Sequence, residues 1–170
     1  EVDPEVIQQI ADLIDEANER KTGVYIIGNG GSASTASHMA NDLKSGLKRR
    51  NILDVNIQSL ADNIAITTAL ANDIGFENIF YEQLRNVISR GDVLIAISAS
   101  GNSPNILKAV EYAIFVGATI IGCTGFDGGR LLELSDVRFH VNTEKGEYGL
   151  VEDIHMILDH LLYTFFVKRG

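Results

Sequence analysis

Two apolar runs of strand length, Val24-Tyr25-Ile26-Ile27 and Val93-Leu94-Ile95-Ala96-Ile97, each break directly into a loop of glycine and serine. The loops are Gly28-Asn-Gly-Gly-Ser-Ala-Ser34 and Ser98-Ala-Ser-Gly-Asn-Ser103, and each opens a stretch of helical character. Apolar runs without polar alternation are buried on both faces, as strands of a parallel sheet are. Further strands are expected near 55–60, 118–123 and 137–141, with helices near 32–46, 63–71, 76–89 and 104–116 between them. An amphipathic helix from Pro4 to about Arg20, with Ile7, Ile10, Ala11 and Ile14 on one stripe, precedes the first strand, and an apolar helix over 147–167 ends the chain. Such alternation predicts a doubly wound α/β domain over 1–170, with right-handed crossovers. Ligands of open parallel sheets sit at the carboxyl ends of the strands, where both loops fall.

The loops have the chemistry of an anion cradle. Glycines let backbone N–H groups come close to a ligand, serine hydroxyls add donors, and the first turn of a helix carries free N–H groups with partial positive charge. Ser103 is a natural N-cap and Pro104 suits the first helical position, so the start of the helix behind the second loop is well marked. Gly28, Gly30 and Ala33 also satisfy a dinucleotide fingerprint, but that reading needs an acid at the end of the next strand. Asp54 stands at the beginning of that strand and Asp62 only beyond its end, so no nucleotide cofactor is expected.

A formal net charge of −9 argues against general binding to nucleic acid or acidic membranes, which require basic surface. Lys48-Arg49-Arg50 reads as a solvated helix end, and Cys123, in an apolar run, reads as a small buried hydrophobe. A single cysteine forms no internal disulfide, no signal peptide is visible, and no apolar stretch approaches the roughly 20 residues of a membrane span. A reducing, cytoplasmic setting is the expectation.

In the last helix Leu150, Val151, Ile154, Ile157, Leu158, Leu161, Leu162, Phe165 and Phe166 cover more than one stripe, which points to contacts between copies of the chain, expected through the first helix (4–20) and the last (147–167). Set among them are Glu152, His155, Asp159 and His160, groups costly to bury unless they have each other, a metal or a ligand. His38 and Asp42 stand at i and i+4 on the helix behind the first loop, spaced to bind a divalent metal, to act as an acid–base pair, or simply to stabilise the helix. Glu152 and His160 are separated by about 12 Å of helical rise and about 80° of rotation, so a metal site that uses both needs long side-chain reach, a helix end that bends, or contributions from two subunits. His155 is an alternative to either, and His140, inside a strand, reads as structural.

The loop Gly28 to Ala33, the continuation His38-Met-Ala-Asn-Asp-Leu43, Ala71-Asn-Asp-Ile-Gly-Phe76, Ser98 to Pro104, Thr124-Gly-Phe-Asp-Gly-Gly129 and Glu152-Asp-Ile-His-Met-Ile-Leu-Asp-His160 follow in order the landmarks of sugar isomerase (SIS) domains. Within that superfamily the chain most resembles the phosphoheptose isomerases. The resemblance implies a flavodoxin-like five-stranded parallel sheet, a homotetramer with active sites between subunits, and aldose–ketose isomerisation of sedoheptulose 7-phosphate for surface polysaccharide. It implies that Ser32, Ser98, Ser100 and Ser103 hold phosphate, with Gly30 and Gly31 in the same loop, and that Asn29 and Asp73 contact the sugar. Asp42 falls on the family's catalytic base and His160 on its catalytic histidine. His38, Asp42, Glu152 and His160 fall on four positions that bind zinc in some members. The chain departs from the family at Asp42, where a glutamate is usual, at Glu152, where glutamine is usual, at Ala99, in place of a threonine, and near Gly46, where an arginine is missing. The same loops occur in a non-catalytic branch that binds the replication initiator DnaA and in isomerases of other sugar phosphates; the ionisable groups kept at Asp42 and His160 favour an enzyme.

Overall fold

The computed structural model describes residues 3–170. Five parallel strands form one sheet in the order β2-β1-β3-β4-β5, with β1 Gly23–Gly28, β2 Asn56–Ser59, β3 Val93–Ser98, β4 Thr119–Gly125 and β5 Val137–Val141. Every residue of β1 and β3 is buried, as expected of strands with helices on both sides. One face carries α1 (Pro4–Arg20), α2 (Gly31–Ala40) and α7 (Tyr148–Arg169), which meet the sheet through Ile26, Ile57, Ile95, Ile97, Ile121 and Phe139. The other carries α4 (Ile79–Leu84), α5 (Pro104–Val116) and α6 (Gly129–Leu134) over Tyr25, Ile27, Leu94, Ala96 and Ile120. This is the doubly wound, flavodoxin-like order.

Alternate side chains of each central strand feed the two cores, so α2, after β1, and α5, after β3, lie on opposite faces. Their loops therefore part at the carboxyl edge between β1 and β3, the place where such sheets bind ligands. The pairing of Gly28 with Ile97 sets the starts of the two glycine–serine loops level with one another.

The elements differ from expectation in three places. The helix expected over 32–46 is α2 followed by a π-helical segment, Asn41–Gly46, in which the Leu47 N–H reaches back to the Asp42 carbonyl. The stretch 76–89 is a 3₁₀ turn, Phe76–Asn78, followed by the short α4. Residues expected as a turn at Asp127-Gly128-Gly129 lead into α6, with Gly128 and Gly129 at φ of 83° and 53°. The apolar stripe of α1 is consumed within the chain, where Ile10, Ala11, Ile14 and Ala17 are buried. By contrast α3 (Ile64–Ile74) buries no residue, although it is strongly apolar.

Candidate active site

The two serine loops form one cradle. Asn29, Ser32, Ile97, Ser98, Ala99, Ser100 and Ser103, joined by Tyr148 and Glu152 of α7, line a cavity of about 140 Å³. Gly28 makes the turn possible, because a Cβ there would lie 2.5 Å from the Ser32 carbonyl oxygen. Ser103 occupies the N-cap of α5 without capping it through its side chain; its Oγ lies 3.4 Å from Ser98 Oγ instead. Both hydroxyls thus point to a shared centre rather than into the helix. Asn29 and Asn105 exchange two amide hydrogen bonds of 2.9 and 2.8 Å, which tie the first loop to the first turn of α5. Ser32 and Ser98 are buried, and Ser100 Oγ accepts from the Asn102 N–H.

Glu152 lies over the first turn of α2. A Cβ on Gly31 would run into its carboxylate, so only glycine allows this approach. A carboxylate at a helix N-terminus is electrostatically favourable.

From the cradle, α2 and α7 run side by side in the same direction to a second cluster. There His38 Nε2 lies 3.5 Å from Asp42 Oδ2, 3.7 Å from Asp159 Oδ2 and 3.4 Å from His160 Nε2. One donor atom from each of the four residues falls within 4.8 Å of the others. The π-helical segment puts Asp42 in this group, with its other oxygen accepting from the Asn41 amide across 3.0 Å. π-Helical turns within α-helices are frequent at functional sites. Asp159 is fully buried and neither of its carboxylate oxygens has a hydrogen-bond partner. Burial first, and then the charge of Asp42, pushes its carboxyl up to about 7, with His38 acting against them. An orphaned carboxylate facing two imidazoles and a second carboxylate is a donor set that fits a divalent cation.

The structure brings together three of the four residues expected at a metal, His38, Asp42 and His160, and it adds Asp159. Glu152 is not among them. Seven residues separate it from Asp159, which is two turns and about 10.5 Å of rise at nearly constant orientation. Both carboxylates therefore face α2, but Glu152 meets the cradle and Asp159 the cluster. Asp159 was conspicuous in the sequence as a polar group in an apolar helix, but its place in the cluster follows from which face of α7 meets α2. Asp73 lies exposed on α3 and lines neither cavity beside the first loop. Gly30, at φ 54°, caps α2 beside a separate, more apolar hollow formed with Phe76 and Phe80. Asn105 and Tyr148 were not singled out in the sequence, since their place depends on tertiary packing.

The remaining histidines have structural surroundings. His155 Nε2 donates to the Thr124 carbonyl oxygen across 3.3 Å, and burial lowers its pKa to about 4. His140 Nδ1 lies 2.9 Å from Thr124 Oγ1. Cys123 is buried and its thiol is pushed up to about 12 by desolvation.

Residues 1–125 match the model of the SIS domain family. A phosphoheptose isomerase of Helicobacter pylori (strain P12) is 36% identical over 160 residues, covering 93% of this chain and 81% of that protein. One from Geotalea daltonii is 35% identical over 168 residues, covering 96% and 86%. Among solved structures, phosphoheptose isomerase from Neisseria gonorrhoeae superposes with a TM-score of 0.87 at 29% identity, covering 97% of this chain and 86% of that one. The enzyme from Francisella tularensis gives 0.85 at 28% identity, with the same coverage. The chain therefore belongs to the SIS domain family, in its phosphoheptose isomerase branch.

Proposed function

We propose that the protein interconverts sedoheptulose 7-phosphate and an aldoheptose 7-phosphate through an enediol. The observation that carries this reading is the pairing of an anion cradle with a cluster of two imidazoles and two carboxylates, two helical turns away on the same pair of helices. Ser32, Ser98, Ser100 and Ser103, with the N–H groups of Gly30 and Gly31, hold the phosphate and fix the remote end of the sugar. Asn29 orders the first loop. Moving a carbonyl between C1 and C2 requires one group to take a proton from carbon and return it to the neighbouring carbon, and a second to move protons between the oxygens. Asp42 has the first role and His160 the second. The cluster is also a ligand set for a divalent ion, which we take to be zinc; when bound, it would polarise the sugar's carbonyl oxygen.

We further propose that the protein is a cytoplasmic homotetramer that supplies heptose for surface polysaccharide. Ile64, Ile66 and Ile74 of α3 and Leu150, Ile157 and Leu161 of α7 are exposed and apolar, which supports association of copies. Asp73, on α3, is then a residue that one copy offers to the site of another. No helix among the described residues is long and apolar enough to cross a membrane.

The test is conversion of sedoheptulose 7-phosphate by the purified protein. Asp42→Asn and His160→Ala should each lose about 10²–10⁴-fold in rate while still binding inorganic phosphate. Full activity in either variant would overturn the assignment of roles.

A further inference from the structure

We infer that Tyr148, the first residue of α7, is the side chain by which the cradle tells a sugar phosphate from phosphate itself. Its ring is the wall against which the carbon chain of the ligand lies, and Phe126 is the positioning residue that holds the ring in place. The inference deepens the isomerase reading and rests on it for the identity of the sugar.

The serine loops alone do not read a sugar. Their hydroxyls and N–H groups serve free phosphate as well as a phosphate ester. Of the described residues that line the cavity, Tyr148 is the one aromatic, and it is half-exposed rather than consumed in the core. An aromatic surface beside a few placed polar groups is how small-molecule sites grip a carbon skeleton. The ring stands on a support that the chain builds against its own backbone preference. Phe126 is buried in a turn closed by a 2.8 Å bond from the Gly128 N–H to the Gly125 carbonyl, and its φ is 54°. A bulky residue at positive φ is an outlier, and such strain persists only where the surrounding packing over-determines it. Here the packing comes from Ala99 of the second serine loop and Val151 of α7. The Gly125 N–H donates to the Ala99 carbonyl across 2.9 Å, and a Cβ on Gly125 would lie 2.5 Å from a Val151 methyl. The turn, the phosphate loop and the start of α7 are thus locked together. From that junction the Phe126 ring meets Tyr148 edge to face, with centroids 5.0 Å apart and planes at 87°. Beside the supported ring there is open space, because a Cβ added at Gly149 would meet nothing within 4 Å.

Calorimetric titration with inorganic phosphate and with sedoheptulose 7-phosphate tests the assignment on the native protein, Tyr148→Ala, Tyr148→Phe, Phe126→Gly and the double variant Tyr148→Ala with Phe126→Gly. The native protein should bind the sugar phosphate more tightly than inorganic phosphate. Tyr148→Ala should lose about tenfold for the sugar phosphate, the lower end of what a lost apolar contact in a pocket is worth, and stay within about twofold for inorganic phosphate. Tyr148→Phe, which keeps the ring, should recover the sugar phosphate to within about threefold of native. Phe126→Gly, which suits the positive φ but removes the support, should shift the preference in the same direction. Combined with Tyr148→Ala it should cost no further preference, because the two rings act as one unit. Survival of the native preference in Tyr148→Ala would overturn the inference, as would equal losses for both ligands or a native protein with no preference at all. Additive losses in the double variant would overturn the role of Phe126. Conversion is followed separately: a native protein that shows the preference, loses it in Tyr148→Ala and converts nothing would overturn the isomerase reading while leaving the role of Tyr148 standing.

Discussion

His155 keeps its imidazole neutral because it is buried, with Nε2 committed to the Thr124 carbonyl and Nδ1 left without a partner. Its folded pKa of about 4 lies below the ordinary 6.5, so between these values the unfolded chain takes up a proton that the native state refuses. Stability from this residue is complete above about pH 6.5 and is lost as pH falls toward 4, by a total on the order of 3 kcal/mol. His155→Gln, which keeps a donor for Thr124 and does not titrate, should flatten that limb in denaturant titrations run across the range; an unchanged limb would contradict the account. At the cradle, Ser103→Ala should weaken phosphate binding by about 1.5–3 kcal/mol if its hydroxyl contacts the charged oxygen. Calorimetry with a fold check decides it, and native affinity would reduce the second loop to a turn.

The elements that carry the site depend on two glycines with different neighbours. At Gly28 an added methyl meets the backbone of Ser32, which does not yield without moving the loop, whereas at Gly31 it meets only the mobile end of Glu152. Gly28→Ala should therefore lower stability by about 1–3 kcal/mol and impair phosphate binding, while Gly31→Ala should melt close to native after displacing the Glu152 carboxylate. Thermal melts of the pair test this, and equal losses would contradict it. Strands β1 and β3 and their loops were legible in the sequence because continuous apolar runs and glycine–serine punctuation are local signals. The π-helical turn at Asn41–Gly46 was not, since residue preferences hardly distinguish a reach of four residues from one of five. The partner of His160 was legible only as a question. Position along α7 put Glu152 in question without removing it, and naming Asp159 required knowing which face of α7 meets α2.

For the whole molecule, the sequence pointed to contacts through the first and last helices, and the fold redistributes that surface. The stripe of α1 is spent on the core, and large apolar side chains lie open on α3, α5 and α7, with Ile64 76%, Phe115 86% and Leu150 55% exposed. Which faces remain uncovered follows from how helices dock, and that is not written in periodicity alone. Sedimentation equilibrium should give a tetramer at micromolar concentration, and a stable monomer would contradict the assembly. The account as a whole joins the cradle to the cluster in one reaction at one end of the sheet. Its most direct test is NMR of C1 and C2 while the intact, metal-supplemented protein acts on sedoheptulose 7-phosphate in deuterated water. The account predicts an aldoheptose 7-phosphate with deuterium entering at carbon; tight binding of the sugar phosphate with no conversion would contradict it.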